Sequence, residues 1–255
     1  MSIMISLPAP ETAYLEQLVC RLQSGLGPRL VGVYLFGSAG YGAYEAGISD
    51  LDVQAVVDGV SSTRQREELA ERLAHESLPC PAKRLDFVCY TRSAVNPARR
   101  HPHFELNFNT GDGIPEQLMF DPSAEANHWF LLDIAMGREF GHAMVGPPPA
   151  TVFAPIPSVW QLQAIQDSLA WHPAHDPISP NNVLNACRGW RYAVTGALGS
   201  KAAGASWARS QPGCPPIVER AEHSRRDGAP VSPSEAADLI AIASEAVRQA
   251  LLENQ

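Results

Sequence analysis

At 255 residues, with 45% apolar and 18% charged side chains, the chain is long enough for one large domain or two modest ones, each with a hydrophobic core. It contains no run of eighteen apolar residues, which excludes a transmembrane helix, and the start from Met1 to Pro8 lacks the basic stretch of a secretory signal. A formal net charge of -8, with Arg99-Arg100 and Arg225-Arg226 as its clustered cations, argues against a nucleic-acid partner and suits a small cationic substrate.

Five scattered cysteines without a C-x-x-C pair point to reduced thiols in a cytoplasm and away from a zinc site. In chain order, Glu11 to Gly25 carries Leu15, Leu18, Val19 and Leu22 at helical spacing. The apolar run Val31 to Phe36 is a buried strand ending in a turn at Gly37-Ser38. A glycine-containing loop leads to a second strand, Asp50 to Val57, and Ser61-Ser62-Thr63 opens a helix running to about Glu76. Arg84 to Tyr90 is a third strand. Phe104 to Asn109 alternates as a fourth, closed by Thr110-Gly111-Asp112-Gly113, and Glu125 to Phe140 is helical. This order predicts an α+β sheet domain with helices on one face.

The texture then changes. Gly146-Pro147-Pro148-Pro149, with Pro155 and Pro157, predicts a stiff connection. From Ser158 every periodic segment is helical. Ser232-Pro233-Ser234-Glu235 forms a capping box for a last helix through Leu251, and Gln211 to Val231 is expected to be partly irregular. The organisation expected is therefore a sheet domain over residues 1–156 and an all-helical domain over 157–255.

The chemistry concentrates in three acids. Strand side chains alternate, so Asp50 and Asp52 share a face, where they repel unless a cation lies between them. Asp86 interrupts the third strand near its start, and a carboxylate there needs a partner. Two accounts compete. In the bland one, Asp50 and Asp52 are loop or cap residues and Asp86 pairs with Arg84 or Lys83. In the other, the three acids hold a hard dication of the kind used in phosphoryl and nucleotidyl transfer.

Gly37-Ser38, Asp50-x-Asp52 and Asp86 in this order resemble the polymerase β-like nucleotidyltransferase superfamily. Within it, the chain is similar to the aminoglycoside nucleotidyltransferases that adenylylate streptomycin or spectinomycin. Arg99-Arg100, Glu105-Leu106-Asn107-Phe108, Val145-Gly146-Pro147, Asn181, Arg188-x-Trp190, Thr195-Gly196, Lys201 and Trp207-Ala208 fall in the same order and at similar spacing. The resemblance spans roughly residues 28 to 210. It implies a nucleotidyltransferase sheet domain followed by a helical domain that binds substrate and nucleotide. The activity implied is Mg²⁺-dependent transfer of AMP from ATP to an aminoglycoside hydroxyl, with two Mg²⁺ ions, pyrophosphate release and antibiotic resistance. The alternatives are another acceptor (metabolite, protein or RNA) and a non-catalytic, antitoxin-like protein of the same fold.

The same resemblance implies roles for individual residues. Asp50 and Asp52 would bridge Mg²⁺ to the ATP phosphates, and the turn at Gly37 and Ser38 would approach a phosphate. Asp86 would be a third metal ligand or the general base. The family usually has Glu there, one methylene longer. Arg188 and Lys201 match residues that contact the nucleotide's phosphates, Arg through its planar fork and Lys as a point charge. Val183, Cys187, Trp190 and Val194 form the apolar stripe of that helix, and Asn181, Asn185 and Arg188 a polar one, which is either a binding surface or a solvated face. Trp171 and Asp176 match drug-gripping positions, with Glu105 and Asp133 as further negative charge. In the bland account Trp171 is core, and His172 and His175 are surface residues. Gly111 stands where the family has a tryptophan that packs on the drug. A monomer without membrane or nucleic-acid partners is expected.

Overall fold

A computed structural model describes residues 7–254. The start of the chain, read above for a secretory signal, lies largely outside them. The chain divides into two compact units, Met1–Ile156 and Pro157–Gln255.

In the first unit, α1 (Ala9–Leu26) leads into β1 (Leu30–Leu35), a single helical turn α2 (Gly37–Gly40), β2 (Leu51–Val57), α3 (Thr63–Leu73) and β3 (Leu85–Thr91). A second turn α4 (Arg92–Val95) is followed by β4 (Phe104–Gly111), β5 (Ile114–Met119), α5 (Asn127–Phe140), β6 (His142–Val145) and the turn α6 (Pro149–Val152). The strands form one six-stranded sheet in the order β5-β4-β3-β2-β1-β6. Only β2 and β3 run parallel; the other pairs are antiparallel.

Alternation along the strands separates two faces. Val33, Leu35, Leu51, Val53, Ala55, Val57, Leu85, Phe87, Cys89, Leu106 and Phe108 join a core with α1 (Leu15, Leu18, Leu22) and α3 (Leu69, Ala70, Leu73). Helix α3 begins at the Ser62 and Gln65 capping box. On the other face, Tyr34 and Phe36 each pack on Phe153, with ring centroids 5.2 Å apart, and Phe104 packs on Phe130 of α5 at 4.9 Å. Helices therefore cover both faces, which corrects the one-faced expectation. The apolar positions on both sides of β1 and β3 already required two covers.

Two strands, β5 and β6, escaped the sequence reading. Both carry a mostly half-exposed or exposed burial pattern with little apolar alternation. The proline-rich segment is not a bare connection either. Val152, Phe153, Ala154 and Ile156 are buried, and the Ala154 N–H donates to Val95 O at 2.9 Å.

The second unit is helical throughout its elements: α7 (Ser158–His175), α8 (Pro180–Thr195), α9 (Lys201–Arg209), α10 (Ile217–Asp227) and α11 (Pro233–Glu253). The presence of α10 corrects the irregular segment expected there. Its buried Ile217, Val218, Ala221 and Ser224 follow the helical period, and Gly228 ends it in the left-handed conformation. Helix α8 is central and packs against the other four. Val183, Cys187 and Trp190 are buried as expected, but Val194 is exposed in the last turn. Ser232 accepts from the Glu235 N–H, whereas the Glu235 carboxylate pairs with Arg220 rather than completing a capping box.

All five cysteines are free thiols. Burial pushes Cys80 up to about 11 and Cys89 and Cys187 up to about 12, so these three stay protonated and inert near neutrality. No helix among the described residues is long and apolar enough to cross a membrane.

Because Phe153 is fully buried between Tyr34 and Phe36, Phe153→Ala should cost about 3–5 kcal/mol of stability. A lowered urea midpoint of the sheet unit would register it. A neutral effect would mean that this segment is only a linker.

Candidate active site

Parallel pairing of β2 and β3 sets Leu51 opposite Leu85 and Asp52 opposite Asp86. The Leu51 N–H donates to Arg84 O at 2.9 Å, so the pairing extends back to Asp50 and Arg84. Period-two alternation then puts Asp50, Asp52, Arg84 and Asp86 on one face as a two-by-two grid, three acids and one arginine. Strand β4 adds a third column, with Asn109 opposite Asp86.

The Arg84 guanidinium lies within the grid. Its Nη2 donates to Asp86 Oδ2 at 3.0 Å, and its Nε lies 2.8 Å from Asp86 Oδ1 as an ion pair. The same Nη2 is 3.6 Å from Asp50 Oδ2. Asn109 Nδ2 donates to Asp86 Oδ1. Burial works against the charge of Arg84, but Asp86, Asp50 and Asp52 together hold its pKa above the ordinary value.

Gly37 follows β1 and fixes the fourth wall. Its φ of +56° is in the left-handed region, and a Cβ there would collide with the Asp52 carboxylate. The Phe36 N–H donates to Asp52 O at 2.8 Å, locking the turn to β2. Ser38 lies in the same turn, half-buried.

The donor set suits a hard dication, since it consists of carboxylate oxygens beside a turn that only glycine can make so tight. Among the described residues, however, no three side chains are gathered as a ready metal-ligand set. Asp86, expected as a third ligand, is engaged by Arg84 and Asn109. Asp50 and Asp52 are the residues that fit Mg²⁺ together with a nucleotide's phosphates. The Arg84–Asp86 pair named in the bland account is thus real, and it coexists with the clustering of the acids.

In the second unit, α8 carries a polar network. Arg188 Nη1 donates to Asn185 Oδ1 at 3.4 Å, and Asn185 Nδ2 is 2.8 Å from His172 Nε2. A guanidinium only donates, so the Asn185 oxygen faces Arg188, its NH₂ faces the ring, and His172 Nε2 acts as an acceptor. His172 is therefore buried and structural to this network, where surface exposure was one of the two accounts. Lys201 Nζ donates to Asn181 Oδ1 at 2.8 Å. Gly204 of α9 lies directly on Arg188, where a Cβ would be 2.9 Å from its backbone N and 3.0 Å from its Cγ.

Residues 151–249 match the family model described as the aminoglycoside adenylyltransferase C-terminal domain. A spectinomycin 9-adenylyltransferase of Staphylococcus aureus is 28% identical over 193 residues, covering 71% of this chain and 72% of that protein. An aminoglycoside (3'') (9) adenylyltransferase of Klebsiella pneumoniae is 28% identical over 210 residues, covering 78% and 79%. Its carboxy-terminal part thus matches the aminoglycoside adenylyltransferase family, and the similarity to named adenylyltransferases extends over most of the chain. Its fold is also that of the spectinomycin adenyltransferase AAD(9) from Enterococcus faecialis, solved with ATP and spectinomycin. That match has a TM-score of 0.69 at 19% identity and covers 93% of this chain and 99% of the other.

The remaining residues singled out from sequence are spread more widely. Trp171 is half-buried and stacks on His175, centroids 4.3 Å apart and planes 5° from parallel. Asp176 caps the end of α7 and is exposed. In the sheet unit, the Glu105 carboxylate accepts from the Ser61 N–H at 2.9 Å, and its carbonyl accepts from Arg66. That is the far end of β4, roughly 13 Å along the strands from Asp86, so Glu105 does not join the acid grid. Asp133 is exposed on α5, and its charge is felt by Tyr90, four residues along β3 from Asp86. Arg84 and Asn109 were not singled out as site residues. Their signal was positional: each lies on the acid-bearing face of its strand, two residues from Asp86 or directly across from it.

Gly37→Ala should cost at least about 1–2 kcal/mol from the left-handed conformation alone and should also displace Asp52. Denaturation midpoints and nucleotide-dependent activity would both fall. An unchanged activity would remove the turn from the site.

Proposed function

We propose that this chain transfers AMP from ATP to a hydroxyl of an aminoglycoside, spectinomycin or streptomycin, releasing pyrophosphate and inactivating the drug. The observation that carries this reading is the placement of Asp50, Asp52 and Asp86 on one face, hard against the tight turn at Gly37. The family match and the relatives named for this activity support it.

In this reading Asp50 and Asp52 hold Mg²⁺, which when bound supplies charge neutralisation for the triphosphate. The Gly37 turn brings backbone N–H groups close to a phosphate, and the Ser38 hydroxyl donates to it. Asp86 takes the proton from the attacking hydroxyl. To do so one of its oxygens must give up Arg84 or Asn109, because both now face donors. Arg188, oriented through Asn185 and His172, and Lys201 supply positive charge for phosphate. Trp171 and Asp176 offer an aromatic face and a carboxylate to a cationic sugar, with Asp133 as further negative charge.

A second acceptor class is favoured by one observation. Gly111, at the position of the family's drug-packing tryptophan, lies against Arg84, with no room for a side chain. A different hydroxyl-bearing metabolite would then be the substrate of the same chemistry.

Pyrophosphate release from Mg-ATP should require one of the two drugs and should fall at least about a hundredfold in Asp52→Asn and in Asp86→Asn. Nucleotide binding without turnover on any aminoglycoside would select the second acceptor class. Asn185→Leu should raise KM for ATP about 3- to 10-fold while changing kcat less. An unaltered KM would take Arg188 out of nucleotide binding.

A further inference from the structure

We propose that Arg84 is the internal counter-cation of the acid grid, holding Asp50 and Asp86 until a divalent cation with its nucleotide displaces it, and freeing Asp86 as it leaves. This rests on the reading of Asp50 and Asp52 as metal-holding residues.

The first support is positional. Three carboxylates on adjacent strand positions repel one another across the ladder, and Arg84 is the cation built into the same grid. Its contacts reach both strands, to Asp86 within β3 and to Asp50 beside β2. An exposed ion pair would be worth little, but the Asp86 side chain is only 19% exposed and that of Asp50 28%. Their oxygens thus have restricted access to water and need a cation nearby.

The second support comes from the neighbouring strand. Leu85 pairs with Thr110, so Arg84 lies beside Gly111. A Cβ at Gly111 would be 2.9 Å from Arg84 Cβ, 3.1 Å from Arg84 Cα and 2.8 Å from Lys83 O. The missing side chain at 111 is what lets the arginine stem lie along the sheet and turn its guanidinium onto the acids. Arginine at 84 and glycine at 111 therefore form one device.

The consequence is a competition. A hard dication needs carboxylate oxygens that Arg84 occupies or faces, so binding must cost the Arg84 contacts. Asp86 as found has Arg84 on both oxygens and Asn109 on one. Removing the guanidinium exposes the lone pair that a general base requires. Arg84 thereby stabilises the acid grid without a metal and couples the arrival of metal to the readiness of Asp86.

The test is Mn²⁺ binding to the full-length protein, followed by electron paramagnetic resonance with and without ATP, together with melting temperature at each Mn²⁺ concentration. Arg84→Gln should melt lower than wild type without metal, gain more stability from Mn²⁺, and bind Mn²⁺ roughly tenfold tighter. Arg84→Lys, which keeps the charge but not the two-point contact, should fall between. Asp52→Asn should abolish Mn²⁺ binding in either background. Equal or weaker Mn²⁺ binding in Arg84→Gln, with wild type binding normally, would overturn the counter-cation role and leave the metal site standing. Absence of Mn²⁺ binding in wild type and Arg84→Gln alike would overturn the carboxylate site and this role together.

Discussion

Parallel pairing of β2 with β3 creates the electrostatic problem around which the sheet unit is organised. With a shifted register Asp52 and Asp86 would not stand side by side, and with an antiparallel one Asp50 would face Val88 instead of Arg84. The remaining strands are antiparallel and conventional, and the buried core under α1 and α3 holds the register by sending every second residue inward. The acids lie on the opposite face, beyond the aromatic cluster of Tyr34, Phe36 and Phe153. One side of the sheet is wholly core, and the other carries both aromatic packing and the acids.

Much of this was legible because period and composition are local signals. The strands at 31–36, 50–57, 84–90 and 104–109 are apolar runs of the right length, and α1, α3, α5, α7, α8 and α11 carry helical spacing. Strands β5 and β6 were not legible, since their side chains are largely exposed and leave no alternation to detect. Helix α10 hid in a segment whose charge and glycine content mask a short buried stripe of three apolar residues and a serine. The second helical cover went unseen because Phe153 and Ile156 sit among prolines, which signal chain stiffness and say nothing of burial.

The site was legible in part. Alternation alone places Asp50 and Asp52 on one face, and only the register adds Asp86. The bland and functional accounts of Asp86 proved compatible: it pairs with Arg84 and still belongs to the cluster. Glu105 shows the limit of reading charge without position, since its carboxylate serves the backbone of Ser61 at the other end of the strand. In the helical unit, the polar stripe of α8 could be drawn from sequence. Its partner His172 could not, because that contact joins residues thirteen positions apart on two different helices.

The contact between Gly111 and Arg84 also constrains how this sequence can change over time. A bulky side chain at 111 while the arginine remains meets a steric wall. Loss of the arginine while the glycine remains leaves negative charges facing each other over a void. Neither single change is free of cost, so positions 84 and 111 are coupled: a large residue at 111 requires a smaller one than arginine at 84.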